Sequence, residues 1–192
     1  MKSQIVIITG YLAAGKSTFA RSLSKAISIP CIVKDTFKSA LCASIDVDSR
    51  EESSRFSAVT FDAMMYVAKK NLATGCPIII EGNFVPSGIK KTDEAGAIKA
   101  LINKYNSHSL TFKFIGDTQT LHRRYIERDK LPGRGKVNAM LGEIPHNDFD
   151  RICRNLDDFN VGGEVIEVDT TDFCDVNFEQ HIETVRAFLG RE

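Results

Sequence analysis

The sequence has no excess charge of either sign. Among its 192 residues, 25 are lysine or arginine and 25 are aspartate or glutamate, so the formal net charge is zero. Zero net charge argues against partners held through bulk charge, such as nucleic acid or a membrane surface, although it permits a local basic cleft. No apolar run approaches the roughly 20 residues that a membrane-spanning helix needs. We therefore expect neither a nucleic-acid partner nor a membrane.

Signs of export, disulfide bonding and metal binding are also scarce. The first ten residues contain one lysine and a short apolar run, and no cleavage site follows them. The five cysteines are odd in number, lie far apart and never form a C-x-x-C pair, which is typical of reduced thiols. The four histidines lack the spacing of metal ligands. We expect a cytoplasmic protein without a disulfide framework.

Internal repeats and low-complexity linkers are absent, so we predict a single domain over residues 1–192. Five apolar runs rich in β-branched residues predict strands at 5–9, 31–34, 77–81, 110–115 and 165–168. These runs are continuous rather than alternating, which is typical of strands covered on both faces. Helical periodicity is found at 16–27, 93–105, 118–129, 147–159 and 175–189. The alternation of strands and helices predicts an α/β fold whose parallel sheet has helices on both faces.

The longest helical stretch begins with a capping box, formed by Ser49 and Glu52. Apolar residues then recur with helical periodicity and predict a single buried face. This face comprises Phe56, Val59, Ala63, Met64, Val67 and Leu72. Gly75 predicts the end of the helix.

One motif points directly to a ligand. Residues 10–17 read Gly-Tyr-Leu-Ala-Ala-Gly-Lys-Ser and fit G-x-x-x-x-G-K-[ST], between a predicted strand and a predicted helix. The glycines allow a tight turn that brings backbone N–H groups against phosphate oxygens, and the helix start adds its dipole. Lys16 would reach the β- and γ-phosphates, and the Ser17 hydroxyl would ligate Mg²⁺. The predicted nucleotide-binding residues of this loop are Gly10, Ala13, Ala14, Gly15, Lys16, Ser17 and Thr18.

Motifs that mark other nucleotide-binding proteins are missing. The nearest match to the guanine-reading N-K-x-D, at 103–106, lacks the aspartate and lies at the end of a predicted helix. A match to D-x-x-G at 93–96 follows a polar stretch rather than a strand, so we interpret it as the start of a helix. An LSGGQ motif is absent. The sequence therefore favours ATP as the nucleotide.

Charged side chains lie where the predicted fold has its ligand crevice. Asp35 directly follows the second predicted strand and Glu81 ends the third, and strand ends of an open α/β sheet point into that crevice. Arg124 and Arg128 are four residues apart on one predicted helix, so they share a face.

Together these motifs resemble the P-loop kinases of small molecules. This superfamily includes adenylate-kinase-like proteins, shikimate and gluconate kinases, chloramphenicol phosphotransferase and zeta toxins. The resemblance covers essentially the whole chain and is closest to the broad group of predicted kinases called AAA family ATPases. It implies a P-loop NTPase fold with a five-stranded parallel sheet in the order 2-3-1-4-5. It also implies a short lid at about 129–138, with Arg134 and Lys136, that excludes water from the reaction.

The resemblance also implies a role for each charged residue. Asp35 would accept the proton of the acceptor hydroxyl; the alternative, compatible with this role, is that it N-caps the following helix. Glu81 would hold Mg²⁺ through water. One of the two arginines would lie by the nucleotide base and one would reach the transferred phosphoryl group, unless both belong to a solvated basic face. The predicted catalytic residues are thus Lys16, Asp35, Arg124 and Arg128; the predicted metal ligands are Ser17 and Glu81, and Arg124 also binds nucleotide.

Several positions keep two interpretations or depart from the family. Asn83 and Phe84 face the acceptor pocket by resemblance, but Phe84 fits the core equally well. The loop at 169–171 either packs on the adenine or is a plain turn. The pair at 13–14 is Ala-Ala where many relatives have Gly-Ser or Ser-Gly, which predicts a stiffer loop. The lid at about 129–138 lacks the histidines of many relatives, which leaves the acceptor undefined.

The predicted function is an ATP-dependent kinase that transfers the γ-phosphoryl group of Mg-ATP to a hydroxyl of a small molecule, as a monomer or homodimer. One alternative is phosphorylation of a nucleic-acid end, with Lys90, Lys91, Arg151 and Arg154 supplying a basic channel. The neutral net charge and the lack of an aromatic stacking series count against it. The other alternative is a nucleotide-binding switch without an acceptor base. The fold alone does not name the acceptor.

Overall fold

The computed structural model describes residues 3–45, 47, 49–85, 93–130 and 144–190. Within them, five parallel strands form one sheet in the order β2-β3-β1-β4-β5. The strands are β1 (Gln4–Gly10), β2 (Cys31–Val33), β3 (Ile78–Glu81), β4 (His108–Ile115) and β5 (Glu164–Asp169). The predicted α/β class and the predicted strand order are confirmed, and every predicted strand is present.

Within the described residues, helices lie between the strands and after the last one. They are α1 (Lys16–Ile27), α2 (Lys34–Ser44), α3 (Arg50–Ala73), α4 (Glu94–Lys104), α5 (Thr118–Asp129), α6 (His146–Arg154) and α7 (Phe178–Leu189), with a short 3₁₀ turn at Phe173–Asp175. Ser49 is the N-cap of α3 as predicted, and its side chain accepts a hydrogen bond of 3.1 Å from the backbone N–H of Glu52, which is one of the two bonds of a capping box. Asp93 caps α4 by accepting a bond from the N–H of Gly96, which confirms that 93–96 starts a helix.

The central strands are covered on both faces because their side chains alternate between two cores. Val6 and Ile8 of β1 pack in a first core with side chains of α1, α6 and α7. Ile5 and Ile7 pack in a second core with side chains of α3 and α4. Burying one such side chain contributes about 1.5–3 kcal/mol. This two-sided burial explains why the central strands are continuously apolar in sequence.

Two predictions about buried faces are wrong. Strand β5 lies at the sheet edge and is not covered on both faces, since Val165 is 41% exposed. On α3, Val59 and Val67 are exposed although we predicted them to be buried, whereas Phe61 and Ala68 are buried. Both sides of α3 carry apolar residues, so the sequence does not show which side is buried. Packing on the sheet decides it.

The region after β2 also differs from expectation. Helix α2 had no predicted bounds, and Lys34, predicted to end the second strand, starts this helix. The Lys34 ammonium pairs with the buried carboxylate of Glu94 and lies 5.6 Å from the ring centroid of Phe61. Helix α6 ends five residues earlier than predicted, and α7 starts three residues later because the 3₁₀ turn precedes it.

Some predictions lie outside the described residues. They include Lys90, Lys91 and most of the predicted lid at about 129–138, with its Arg134 and Lys136. Across the described ranges, none of the helices has both the length and the apolar character needed to cross a membrane.

Candidate active site

The loop after β1 is shaped by two glycines with positive φ. Gly10 has φ +125° and Gly15 has φ +86°, and α1 begins immediately afterwards at Lys16. Among the described residues, no side chain caps this helix start. The first backbone N–H groups of a helix have no partner within the helix, and they carry the positive end of its dipole. The loop and helix start therefore form an anion-binding geometry.

The two alanines of the loop occupy different environments. Ala13 has φ +59°, a left-handed conformation that L-residues rarely adopt. Ala14 is fully buried and packs in the first core. The methyl group of Ala14 thus anchors the loop to the core.

A pocket of about 600 Å³ opens over this loop. It gathers all but one of the predicted catalytic, nucleotide-binding and metal-binding residues, from four separate parts of the chain. The predicted site residues that line it are Ala13, Ala14, Gly15, Lys16, Ser17, Thr18, Asp35, Glu81, Arg124 and Arg128. Gly10 is not part of the pocket lining, because it lies at the end of β1, before the loop residues that face the pocket.

Lys16 is held inside the pocket wall. It is 7% exposed, and its ammonium donates a hydrogen bond of 2.6 Å to the carbonyl of Tyr11. Burial lowers its pKa, while the nearby carboxylates of Glu81 and Asp35 act in the opposite direction. An ammonium has three donors, so the bond to Tyr11 is compatible with Lys16 also holding phosphate oxygens.

Glu81 ends β3 with its carboxylate buried, at 3% exposure. In the register of β1 and β3 it pairs with Ile8, just before the loop. Its carboxylate accepts a hydrogen bond of 3.1 Å from the Ser17 hydroxyl. Burial raises its pKa to about 7, opposed chiefly by the positive charge of Lys16. A buried carboxylate beside a hydroxyl fits Mg²⁺, whose charge would favour the ionised form.

We expect the metal-free protein to lose stability as the pH rises from about 4.5 to about 7. Glu81 binds its proton more tightly in the folded than in the unfolded chain, so its protonation stabilises the folded protein. This contribution to the free energy of unfolding is complete below the unfolded pKa of 4.5. It is lost as the pH rises through the folded pKa of about 7. The loss is at most about 3 kcal/mol. Glu81→Gln cannot ionise and should lack this part of the pH dependence. Urea unfolding of both proteins in EDTA at pH 5 and pH 8 measures it; identical pH dependence would contradict the expectation.

Asp35 lies in the first turn of α2, exposed to the pocket. The N-cap of this helix is Val33, so the interpretation of Asp35 as the cap is wrong. The Asp35 carboxylate acts electrostatically on both Lys16 and Glu81. The structure therefore brings it to the phosphate loop, and its role as a base stays a prediction.

The two arginines of α5 both line the pocket instead of forming a solvated face. Arg124 donates to the backbone carbonyls of Thr170 and Thr171, and its guanidinium lies 5.9 Å from the ring centroid of Phe173. Arg128 lies 5.3 Å from the ring centroid of Tyr125 and acts electrostatically on Lys16.

The loop after β5 is built as a turn. The backbone N–H of Thr171 donates to the Asp169 carboxylate, and the Thr171 hydroxyl accepts a bond from the N–H of Asp117. Phe84, with φ +47° and 2% exposure, belongs to the second core, so the core interpretation of this residue is correct. Asn83 lines the pocket.

Sequence reasoning missed Phe173 and Tyr11. Phe173 lines the pocket and packs so closely on Gly15 that a Cβ there would lie 2.3 Å from its ring. The Tyr11 hydroxyl donates to Asp157, accepts from Arg154 at 3.1 Å and thereby ties the loop to the end of α6. No motif specifies either residue, because Tyr11 occupies an unrestricted position of the phosphate-loop motif and both residues contact partners far away in sequence.

No family model and no curated protein matches this chain. Solved structures do: a "putative kinase" from Chloroflexus aurantiacus J-10-fl is 21% identical, with 98% of this chain and 97% of that chain covered and a TM-score of 0.80. The fold is that of the P-loop kinases.

Two further structures with this P-loop kinase fold are named for their substrates. Shikimate kinase from Bacteroides thetaiotaomicron is 15% identical, with 97% of this chain and 98% of that chain covered and a TM-score of 0.57. A gluconokinase from Sinorhizobium meliloti 1021 is 14% identical, with 98% of this chain and 92% of that chain covered and a TM-score of 0.53. At these identities the similarity shows the fold alone. The predicted resemblance to P-loop kinases is thus confirmed at the level of the fold.

Proposed function

We propose that the protein is an ATP-dependent kinase, which transfers the γ-phosphoryl group of Mg-ATP to a hydroxyl group of a small molecule. The observation that supports this best is the single pocket in which Asp35, Lys16 and Arg128 meet over the phosphate loop. A protein that only bound nucleotide would not need a carboxylate such as Asp35 exposed at that point.

The reaction requires four changes. The acceptor hydroxyl oxygen forms a bond to the γ-phosphorus, and the bond from that phosphorus to the bridging β–γ oxygen breaks. The hydroxyl proton passes to the Asp35 carboxylate, and ADP leaves. Lys16 and Arg128 stabilise the negative charge that develops on the transferred group. Proton acceptance by Asp35 would contribute about 10²- to 10⁴-fold to the rate.

The remaining residues bind and orient the nucleotide. The N–H groups of the phosphate loop would hold its phosphates, and Mg²⁺, held by the Ser17 hydroxyl and by Glu81 through water, would neutralise part of their charge. We assign the nucleotide base to the face formed by Arg124 and Phe173, because a guanidinium 5.9 Å from an aromatic ring offers flat surfaces that suit a flat, apolar ring.

Mg-ATP should raise the melting temperature of the protein by roughly 5–10 °C at 100 times its dissociation constant. Ligand at that excess adds about 2.7 kcal/mol, and a chain of this size gains about 2–4 °C per kcal/mol. Mg-GTP should give a smaller shift, since no guanine-reading motif was found. Lys16→Ala should remove the shift. A thermal melt with each nucleotide measures this, and no shift with either would refute nucleotide binding.

Phosphorylation of nucleic-acid ends is less well supported. The described basic residues proposed for a nucleic-acid channel, Arg151 and Arg154, are paired with carboxylates. The pairs are Arg151 with Asp148, and Arg154 with Asp150 and Asp157. The positive charge of both arginines is therefore compensated by neighbouring carboxylates. This leaves less of it for binding the phosphate backbone of a nucleic acid.

A further inference from the structure

A second depression lies beside the phosphate pocket. It has a volume of about 530 Å³ and lies between α2, α3 and the edge strand β2. We call it the β2 groove. Its lining residues are Arg21, Cys31, Ile32, Val33, Thr36, Phe37, Ala40, Ala63, Met64 and Val67.

The lining of the β2 groove is almost entirely apolar. Among the described residues that form it, Arg21 is the single charged one. Phe37 is 37% exposed and Val67 is 39% exposed, so two large apolar side chains of the lining are in contact with solvent. Burial raises the pKa of the Cys31 thiol to about 12, so this side chain is neutral and behaves as a small apolar group. Apolar surface gathered in a concave site is typical of a ligand pocket.

The β2 groove adjoins the phosphate pocket. Arg21 and Thr36 line both depressions. Thr36 directly follows Asp35, the candidate base, in the first turn of α2. A molecule in the groove can therefore extend a polar end towards Asp35 while its body stays among apolar side chains.

From this geometry we propose that the β2 groove binds the body of the phosphoryl acceptor, which is an alcohol with a mainly hydrocarbon or aromatic body. The proposal rests on the proposed kinase function and names its substrate class. A polyhydroxylated molecule would leave most of its hydroxyl groups without hydrogen-bond partners along this wall, where Arg21 and Thr36 carry the strong hydrogen-bonding side-chain groups. Each neutral group without a partner costs about 1–3 kcal/mol. An apolar body gains about 25 cal/mol for each Å² that it buries.

The test uses two panels of acceptors with the intact protein and Mg-ATP. The apolar panel is 2-phenylethanol and cyclohexylmethanol, and the polar panel is gluconate, shikimate and glucose. ADP release, corrected for the rate without acceptor, reports transfer, and saturation-transfer NMR with 2-phenylethanol reports binding. We expect transfer to the apolar panel and at least 10-fold lower kcat/KM for the polar panel.

Variants of α3 and α2 then locate the site. Val67→Asp places a charge in the groove, and Ala40→Phe fills it; both positions are exposed, so both variants should fold. Each should raise KM for 2-phenylethanol at least 10-fold and leave KM for ATP unchanged. The matched control is Val59→Asp, an exposed valine two turns earlier on the same helix and outside the groove lining, which should change neither KM.

Three results would overturn the proposal, and they distinguish failure of the groove assignment from failure of the kinase function. Transfer to polar acceptors alone, or equal effects of Val67→Asp and Val59→Asp, would reject the groove as the acceptor site while the kinase function stands. Absence of transfer to either panel, together with no Mg-ATP melting shift, would reject the kinase function and the groove assignment with it.

Discussion

Replacing Asp35 by asparagine should lower the rate of phosphoryl transfer by about 10²- to 10⁴-fold, the usual contribution of a general base. The amide keeps the size of the side chain and its place in the first turn of α2 but cannot accept the acceptor proton at neutral pH. Nucleotide affinity should change little or increase, because Asp35 is a negative charge near the phosphate site. Single-turnover transfer and the dissociation constant of Mg-ATP measure the two effects separately.

The control for this variant is Glu179→Gln. Glu179 is an exposed acidic residue in the first turn of α7, and it lies outside the lining of the phosphate pocket. It shares with Asp35 the favourable interaction with a helix dipole, worth about 0.3–1 kcal/mol. Any loss due only to helix stability should therefore occur in both variants. Transfer that survives Asp35→Asn unchanged would exclude the role as a base and favour the nucleotide-binding switch.

Replacing Gly10 by alanine should destabilise the protein by roughly 2–6 kcal/mol. Two effects add: a positive φ in a residue with a side chain costs about 1–3 kcal/mol, and overpacking costs about 1–3 kcal/mol. The second effect is severe at this position, since the new Cβ would lie 2.0 Å from the carbonyl oxygen of Phe114. The same carbonyl accepts a hydrogen bond of 2.8 Å from the N–H of Tyr11, so it cannot move without disturbing the phosphate loop.

Gly75→Ala separates strain from collision. Gly75 also has a positive φ, at +74°, but a Cβ added there would meet no atom within 4 Å. In this control variant the free energy of unfolding should fall by only about 1–2 kcal/mol. Urea unfolding of the three proteins gives the comparison, and equal losses for the two variants would show that close approach to Phe114 is unimportant. Loss of the Mg-ATP melting shift in Gly10→Ala, with retention in Gly75→Ala, would tie the effect to the loop.

The architecture was readable from the sequence because its signals are local. A strand buried on both sides must be apolar throughout, so the central strands appear as continuous apolar runs. The phosphate loop is recognisable for a similar reason: its glycines supply backbone conformations within eight consecutive residues, such as the φ of +86° at Gly15. The strand order followed from the resemblance to P-loop kinases rather than from these runs.

Several of the wrong or missing predictions concern contacts between distant parts of the chain. Apolar residues lie on both sides of α3, and packing on the sheet buried Phe61 while it left Val67 exposed. Phe173 and Tyr11 belong to the site through partners far away in sequence, such as Gly15 for the first and Asp157 for the second. Periodicity contains no information about such partners.

The sequence by itself determined the strands, most helices, the phosphate loop and the charged residues that we assign to catalysis. Each of these depends on a residue type at a fixed short spacing, which local backbone geometry and charge require. Only the tertiary structure decided that Asp35 and Arg128 meet Lys16 in one pocket, and that an apolar groove adjoins it. Those features depend on which elements pack together, because a pocket is formed by side chains that the chain brings together only when it folds.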